Sequence, residues 1–277
     1  MPPAPNRAAD VPPWPVWTAP AGVAVGLALG AIASVLVDVA AGASGSSVAH
    51  PPAAVLIIGD VVFDLGFVAA ALYFASMRGR AKAVDFGFRR VKPGSAVKAV
   101  ALGAIAYYGL TAVYAAIFKL SGRDKLPSEL GVGHSTTALV AASIFVCVIA
   151  PIAEEFFFRG FFFGVLRSWR IEVAGRNLGI WLAAVVTGIL FGLAHTGSAS
   201  SQYLIPLGFL GFVLCIVRWR TGSLYPCIVL HSANNALALG YNQLGWNAAE
   251  IVALMVASWA VIAAITWPLG ARSPRIA

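Results

Sequence analysis

Long apolar runs, separated by short polar segments, dominate the chain. A helix that crosses the hydrocarbon core of a bilayer needs about 20 apolar residues. By this measure the pattern predicts eight membrane-spanning helices, at 21–42, 53–77, 97–119, 137–169, 178–196, 203–217, 223–240 and 249–269. Backbone groups in lipid must bond within their own segment, and the runs are too long for barrel strands. The predicted fold is therefore an all-α polytopic membrane protein, a bundle of about eight transmembrane helices.

The composition agrees with this pattern and excludes most soluble classes. Hydrophobic residues make up 60% of the chain and charged residues 11%, whereas a soluble globular protein carries about 25% charged residues. An ordinary soluble enzyme, a disordered protein and a coiled coil are therefore excluded. Cys147, Cys215 and Cys227 all lie in apolar runs without metal-ligand spacing, so we interpret them as small buried hydrophobes.

The positively charged residues lie in the predicted loops, which indicates the orientation of the protein in the membrane rather than a surface that binds nucleic acid. The formal net charge is +8, and seven of the cations lie between Arg78 and Lys98. Fifteen cations fall on one side of an eight-helix bundle, and three fall on the other side: Lys119, Arg123 and Lys125. Because basic loops tend to stay in the cytoplasm, this distribution predicts a multi-pass protein of the plasma membrane with both termini cytoplasmic. No nucleic-acid partner is expected.

Two adjacent carboxylates interrupt the fourth apolar run. Glu155 and Arg159 are four residues apart, which places them on one face of a helix, where they can form an ion pair. Glu154 points about 100° away from Glu155 around the helix. A carboxylate that stays unpaired in a low-dielectric site is suited to general base catalysis. The alternative is a structural salt bridge, with Glu154 at a cytoplasmic helix end.

Two histidines fall in later apolar runs, each with a partner one helical turn away. His195 lies near the end of the fifth run, one turn after Phe191. His231 lies inside the seventh run, and Asn235 follows it on the same helix face. An imidazole and an amide side by side can donate hydrogen bonds to an oxyanion. Polar side chains also hold membrane helices together, so neither pair is decisive alone.

The three elements, taken in order, resemble the CPBP family of intramembrane proteases, also called the Abi family. They read E-E-x-x-x-R at 154–159, F-x-x-x-H at 191–195 and H-x-x-x-N at 231–235. The family includes the type II CAAX prenyl endopeptidases and bacteriocin self-immunity proteins. The resemblance implies four regions: a disordered Pro-rich tail at 1–19, three helices with a basic cytoplasmic loop at 20–136, a catalytic core at 137–240, and a last helix with a short tail at 241–277.

The resemblance implies a hydrolase that cleaves a peptide bond, and it gives the matched residues their roles. Glu154 and His195 would activate a water. His231 and Asn235 would hold the oxyanion of the tetrahedral intermediate. The substrate would be a peptide or protein at or in the lipid bilayer.

The resemblance leaves the cofactor open. Family members are often labelled metalloproteases, and Glu154, His195 and His231 would supply a carboxylate and two imidazoles to Zn²⁺. A metal-free endopeptidase of the glutamate type would use the same residues. The chain has no His-Glu-x-x-His, so the signature of soluble zinc proteases gives the metal no support. Glu155 and Arg159 would orient the helix and Glu154 in either version.

Residue counting leaves one conflict. Glu154 and His231 fall in the half of the bundle predicted to be cytoplasmic, while His195 falls near the outer end of its helix. The three can meet only if that helix starts deeper than the pattern indicates, or if residues 197–201 fold back into the bundle.

Other classes fit the sequence less well. Residues 42–45 match the Gly-x-Ser-Gly of rhomboid serine proteases, but a flexible outer loop is the simpler interpretation. Asp60 and Asp64 share one helix, which favours a structural role over an aspartyl protease. Cys227 stands one turn before His231, but burial blunts a thiol. A transporter would call for an internal repeat, which the chain lacks. The main non-enzymatic alternative is a membrane binding or bacteriocin-immunity protein that keeps the polar motif.

Overall fold

The computed structural model describes residues 12–47, 51–118, 130, 132 and 135–272. Most of the described residues are helical, and six helices among them are long and apolar enough to cross a membrane. The predicted class, an all-α polytopic membrane protein, is confirmed. The cations predicted for the outer side, at 119, 123 and 125, lie outside the described residues.

The helices follow one another with short connections. The first part of the chain contains α1 (Thr18–Ala43), α2 (Ala53–Ser76), α3 (Ala83–Phe86), β1 (Arg89–Arg90) and α4 (Pro93–Phe118). A long broken helix follows, made of α5 (Thr136–Ile144), the π-helical segment π1 (Phe145–Ile149), α6 (Ala150–Glu155), π2 (Phe156–Phe162) and α7 (Phe163–Leu166). The remainder contains β2 (Glu172–Val173), β3 (Arg176–Asn177), α8 (Gly179–Ala194), a 3₁₀ turn (Ser201–Tyr203), α9 (Leu204–Thr221), α10 (Tyr225–Leu237), π3 (Ala238–Leu244), α11 (Ala248–Thr266), a second 3₁₀ turn (Trp267–Leu269) and β4 (Ala271–Arg272).

The structure does not confirm the predicted number of spans. The predicted fifth and seventh spans correspond to α8 and α10, which have 16 and 13 residues. Both are shorter than the roughly 20 residues that cross a bilayer, although α10 continues into π3. Eight spans therefore stay a prediction, while six helices of the described part meet the length criterion.

The α1–α2 hairpin is held by close approach of the two backbones. A Cβ atom added at Gly66 would stand 2.5 Å from the backbone nitrogen of Gly30. The Ser34 hydroxyl donates to the Gly59 carbonyl at 2.9 Å. Small residues permit such packing in membranes, where lipid tails are as apolar as the side chains. Much of the rest of α1 is exposed apolar surface, such as Leu36, which suits contact with lipid.

The broken helix owes its first interruption to Pro151. Proline has no N–H, so the carbonyl of Cys147, four residues earlier, loses its helical donor. The Ala150 N–H bonds to the Phe145 carbonyl, five residues back, which leaves the Val146 carbonyl free as well. Two neighbouring carbonyls of π1 are therefore open to partners from another helix.

Polar side chains of α10 supply those partners. The Ser232 hydroxyl donates to the Cys147 carbonyl at 2.6 Å, and Nδ2 of Asn235 donates to the Val146 carbonyl at 2.9 Å. Buried backbone carbonyls without a partner are costly in a membrane. The contacts therefore fix α10 against π1, and π-helical turns of this kind are frequent at functional sites.

The segments that carry most basic residues meet at one end of the bundle. Strand β1 pairs in parallel with β4. The Leu224 N–H donates to the Gly87 carbonyl at 2.8 Å, and the Ser223 hydroxyl donates to the Arg89 carbonyl at 2.6 Å. One face of the bundle is therefore basic, as the charge pattern predicts, while its assignment to the cytoplasm stays a prediction.

The described part of the Pro-rich tail packs onto this end. Trp14 is buried, and its ring centroid lies 5.0 Å from that of Phe86 and 5.6 Å from that of Phe161. The Thr18 N–H and hydroxyl both donate to the Pro15 carbonyl. Residues 14–18 are thus held against the bundle, whereas the sequence predicts a disordered tail over 1–19. The rest of that prediction falls on residues outside the described part.

Candidate active site

Three helices converge on Glu154. Glu154 lies in α6, His195 caps the C-terminal end of α8, and His231 lies in the middle of α10. Nε2 of His195 is 3.8 Å from Oε2 of Glu154. Nε2 of His231 is 3.9 Å from the same oxygen. Two imidazoles from separate motifs thus approach one carboxylate oxygen of a third motif.

The loop after α8 accounts for the position of His195 beside Glu154. The His195 carbonyl accepts hydrogen bonds from the Ala199 N–H at 3.0 Å and from the Ser198 hydroxyl at 3.2 Å. The turn sends the chain back toward the bundle, and both Ser198 and Ala199 line the same cavity as Glu154. Of the two explanations left open by the sequence, the fold-back of this loop is the one observed.

Glu155 lies behind Glu154 at the centre of a charged network. Its Oε1 is 2.9 Å from Nη1 of Arg159, the ion pair predicted from the spacing. The same oxygen accepts a hydrogen bond from Nδ1 of His231 at 2.8 Å. Arg159 also donates from Nη2 to the Gly211 carbonyl at 3.3 Å. Glu155 and Arg159 are both fully buried, where charges persist only when paired.

In the neutral form of each imidazole, these hydrogen bonds decide which nitrogen carries the proton. Carbonyl and carboxylate oxygens only accept, so Nδ1 of His195 donates to the Phe191 carbonyl at 2.8 Å, as Nδ1 of His231 donates to Glu155. The Nε2 atom of each ring then presents a lone pair toward Oε2 of Glu154. The separations are too long for direct hydrogen bonds and short enough for one water to bridge Glu154 and His195.

Phe191 connects the members of the site through its ring. The centroid of its ring lies 4.8 Å from that of His195 and 5.5 Å from that of His231. The guanidinium carbon of Arg159 lies 4.2 Å from the ring centre, within the range of a cation–π contact. The phenylalanine of the second motif thus contacts both imidazoles and the buried cation, which its spacing alone did not indicate.

Asn235 makes a hydrogen bond that its predicted role does not include. The sequence pairs it with His231 as an oxyanion donor, but one of its amide hydrogens is committed to the Val146 carbonyl. Asn235 still lines the cavity, and an amide nitrogen carries two N–H groups. The predicted contact with an oxyanion would therefore use its second amide hydrogen. Ser232, which holds the neighbouring carbonyl of Cys147, is absent from the sequence motifs.

The side chains, as they stand, do not form a zinc site. No group of three or more His, Cys, Asp and Glu side chains in the described part of the chain is arranged to hold a metal ion. The donor types suit zinc, and each imidazole is oriented through Nδ1 as in zinc-bound histidines. However, zinc ligands lie about 2.0–2.2 Å from the metal, so they stand closer together than the 3.8 and 3.9 Å observed around Glu154.

The site opens onto a cavity of 590 Å³ bounded by α2, α4 and the broken helix. Glu154 reaches this cavity with a side chain that is 18% exposed. Glu155, its neighbour in the chain, is 0% exposed and does not line the cavity. The two carboxylates therefore differ in access to a substrate, as their different directions on the helix predict.

The competing nucleophiles have local roles. Ser44 lies at the exposed C-terminal end of α1 and donates to a carbonyl of that helix. Cys227 is buried, and its Sγ donates to the Leu214 carbonyl at 3.4 Å. Asp64, which the sequence interprets as structural, lines the cavity beside Glu154. No local spacing relates these two carboxylates, because they come from different helices.

Residues 136–237 match the family model of Rce1-like type II CAAX prenyl endopeptidases. The matched segment contains all three motifs and every residue that converges on Glu154. For this segment, the match supports the CPBP family predicted from the motifs. At the level of the family, this segment is similar to CAAX-protease-like membrane endopeptidases.

Two curated proteins are similar to parts of the chain. One is an uncharacterized 24.3 kDa protein of Escherichia coli, 28% identical over 138 residues, which cover 47% of this chain and 59% of that protein. The other is UPF0177 protein YxdF of Lactococcus lactis subsp. lactis (strain IL1403), 28% identical over 88 residues, which cover 32% and 42%. The chain thus spans less than two thirds of either relative. No solved structure matches it.

Proposed function

We propose that the chain is an intramembrane endopeptidase that hydrolyses a peptide bond with a water activated by Glu154 and His195. The observation that carries this proposal is the approach of two imidazole Nε2 atoms to Oε2 of Glu154 at the wall of a cavity. Ionisable groups inside a membrane bundle are costly and mark functional sites. The family match over 136–237 supports the same class of reaction.

In the proposed reaction a water lies between Oε2 of Glu154 and Nε2 of His195. Glu154 accepts a proton from the water while the water oxygen attacks the carbonyl carbon of the substrate. The proton then passes to the leaving amine nitrogen. Neither acceptor has to break a protein hydrogen bond first, because Oε2 of Glu154 has no such partner among the described residues and Nε2 of His195 is the unprotonated nitrogen.

His231 and Asn235 would stabilise the oxyanion that this attack creates. Nδ1 of His231 donates to Glu155, so Nε2 can donate to the oxyanion only when the ring carries a second proton. The Glu155 carboxylate lies where it would stabilise that imidazolium, as a buried carboxylate does in other hydrolases. Arg159 keeps Glu155 charged and in place.

A metal-assisted version would use the same carboxylate and imidazoles, and bound Zn²⁺ would supply a Lewis acid for the water. Because no group of side chains in the described part of the chain is arranged to hold a metal ion, we expect purified protein to contain less than one equivalent of zinc. Mass spectrometry of the purified metal content tests this. One equivalent in the wild type that disappears in both His195→Ala and His231→Ala would establish the metal-assisted version instead.

Comparative proteomics of membranes tests the function directly. A strain with Glu154→Ala is expected to accumulate an uncleaved protein or peptide that the wild-type strain processes. Glu172→Ala is the matched control, because Glu172 is an exposed carboxylate of the β2–β3 hairpin. Identical membrane peptides in all three strains would favour a binding or immunity protein that retains the polar motif.

We also propose that the protein is a multi-pass protein of the plasma membrane with both termini in the cytoplasm. The basic segments that meet at one end of the bundle support this orientation. Cysteine labelling of intact cells tests it, with Ser46→Cys expected to react from outside and Lys92→Cys to be protected. The reverse labelling pattern would invert the topology.

A further inference from the structure

The cavity beside Glu154 has an acidic wall that the proposed reaction does not use. Asp60 and Asp64 lie four residues apart on α2, and both line the cavity. That spacing places them on one face of the helix. The hydrolysis of a peptide bond, as derived above, uses only Glu154 and Glu155 among the carboxylates. The two aspartates therefore require another explanation, because carboxylates inside a membrane bundle are costly.

Asp64 is the member of this wall that indicates a ligand. Its Oδ2 atom is buried and has no hydrogen-bond partner among the described residues, whereas buried carboxylates are normally paired. Asp64 interacts electrostatically with Glu154 and with Asp60, which carry charges of the same sign. A cation bound here would relieve that repulsion, which a low-dielectric cavity strengthens.

The described part of the chain brings no lysine or arginine to the cavity. None of the described residues that line it is of either type. Arg159, the nearest buried cation of the site, is paired with Glu155 and does not reach the cavity wall. The two imidazoles face Glu154 rather than the aspartates. The wall around Asp64 is therefore open to a positive charge from outside the chain.

Aromatic rings line the same part of the cavity. Phe63 and Phe67 lie on α2 with ring centroids 5.5 Å apart, and Phe67 meets Phe157 at 4.8 Å. Tyr107 and Tyr108 of α4 line the cavity as well. Aromatic faces attract ammonium and guanidinium groups. Carboxylates and aromatic rings together suit a cation carried on an apolar stem, as in lysine and arginine.

We propose that Asp64, assisted by Asp60, forms a subsite for a lysine or arginine side chain of the peptide substrate, next to the bond that Glu154 cleaves. The inference rests on the proposed function and adds a substrate class to it. The same wall would repel an acidic side chain or a chain-terminal carboxylate placed close to the cleaved bond.

Cleavage of a peptide library tests the subsite. Transmembrane-length peptides that carry Lys, Gln or Glu at equal frequency at each position are incubated with the purified full chain in liposomes, and the products are sequenced by mass spectrometry. Lys is expected to exceed both Gln and Glu by about tenfold at one position near the cut. Asp64→Asn should reduce this preference to about twofold. Asp38→Asn, an exposed carboxylate of α1 outside this cavity, should leave it unchanged.

Binding without cleavage provides a second measurement. In Glu154→Gln, a peptide with Lys at the preferred position is expected to bind about tenfold more tightly than its Glu counterpart, measured by fluorescence anisotropy. Adding Asp64→Asn should remove most of the difference. Because no turnover is required, this comparison holds even if Asp64→Asn lowers activity for another reason.

The outcomes separate the inference from the proposed function. Cleavage that depends on Glu154 but shows no preference for Lys would overturn the cationic subsite and leave the protease standing. A preference for Lys that persists unchanged in Asp64→Asn would also overturn it. The absence of any product that depends on Glu154 would contradict the protease itself, and the binding comparison would then decide whether the wall recognises a cation.

Discussion

The α1–α2 hairpin and the segment 136–244 are both rich in apolar helices, yet they pack in different ways. In the most apolar stretch of α1, 11% of residues are buried within the protein, against 39% in the helix Thr136–Leu166. The first region contacts itself through glycines and presents the rest of its surface outward. The second is enclosed by other helices and contains the buried ions and imidazoles.

Hydrophobicity therefore determines which segments enter the membrane, and polar contacts determine how the helices are arranged around the site. Apolar length places both regions in the membrane. The arrangement of helices around the site follows instead from buried polar groups that need partners. Glu155 pairs with Arg159 and accepts a hydrogen bond from His231. The free carbonyls of π1 accept hydrogen bonds from side chains of α10. Changes in the two regions should therefore have different physical consequences.

The largest loss of stability is expected from Glu155→Gln, which leaves Arg159 buried without its charge partner. Breaking a buried pair by removing one partner costs about 3–5 kcal/mol. The double variant Glu155→Gln with Arg159→Gln should be folded better than the single variant, because no lone charge remains. Melting in detergent measures both, with Glu172→Gln as the exposed control. A single variant that melts like the wild type would show that the network does not hold this region together.

The hairpin should respond to volume rather than to charge. Gly66→Ala would place a Cβ atom 2.5 Å from the Gly30 backbone, and overpacking of this kind costs about 1–3 kcal/mol. Gly59 lies on the same helix, and a Cβ atom there would meet no atom within 4 Å. Gly59→Ala is therefore the matched control and should not lower the melting temperature. Equal tolerance of the two changes would contradict the close packing of α1 on α2.

A smaller effect is expected where α10 meets the broken helix. Ser232→Ala leaves the Cys147 carbonyl without its donor, and an unsatisfied buried acceptor costs about 1–3 kcal/mol. The loss should fall toward the lower end if the π1 segment relaxes into a regular turn. Ser44→Ala, at the exposed end of α1, removes a hydroxyl that water can replace and should change nothing. If both variants melt alike, the free carbonyls of π1 do not fix the position of α10.

The sequence predicted those features that depend on spacing within one helix. Apolar length gave the polytopic class, and the four-residue spacing indicated the ion pair of Glu155 with Arg159. The order of the three motifs indicated the family, which the match over 136–237 supports. These inferences need no knowledge of how separate helices are arranged.

Spacing within one helix could not predict the contacts between separate helices. The bond from His231 to Glu155 joins residues that are 76 apart in the chain, so no local pattern encodes it. Asp64 reads as a structural carboxylate because its neighbour Glu154 belongs to another helix. Apolar length alone also leaves the number of spans unconfirmed, because α8 and α10 are shorter than a full membrane span.

The central claim is that Glu154, and not its neighbour, carries the chemistry. The most direct test measures peptide cleavage and detergent melting for Glu154→Gln, which preserves size and hydrogen bonding but removes the basic carboxylate. The account predicts unchanged melting and a loss of turnover of at least about 10²–10⁴-fold, the usual contribution of a general base. A folded Glu154→Gln variant that cleaves at the wild-type rate would contradict the account and leave these residues a structural role.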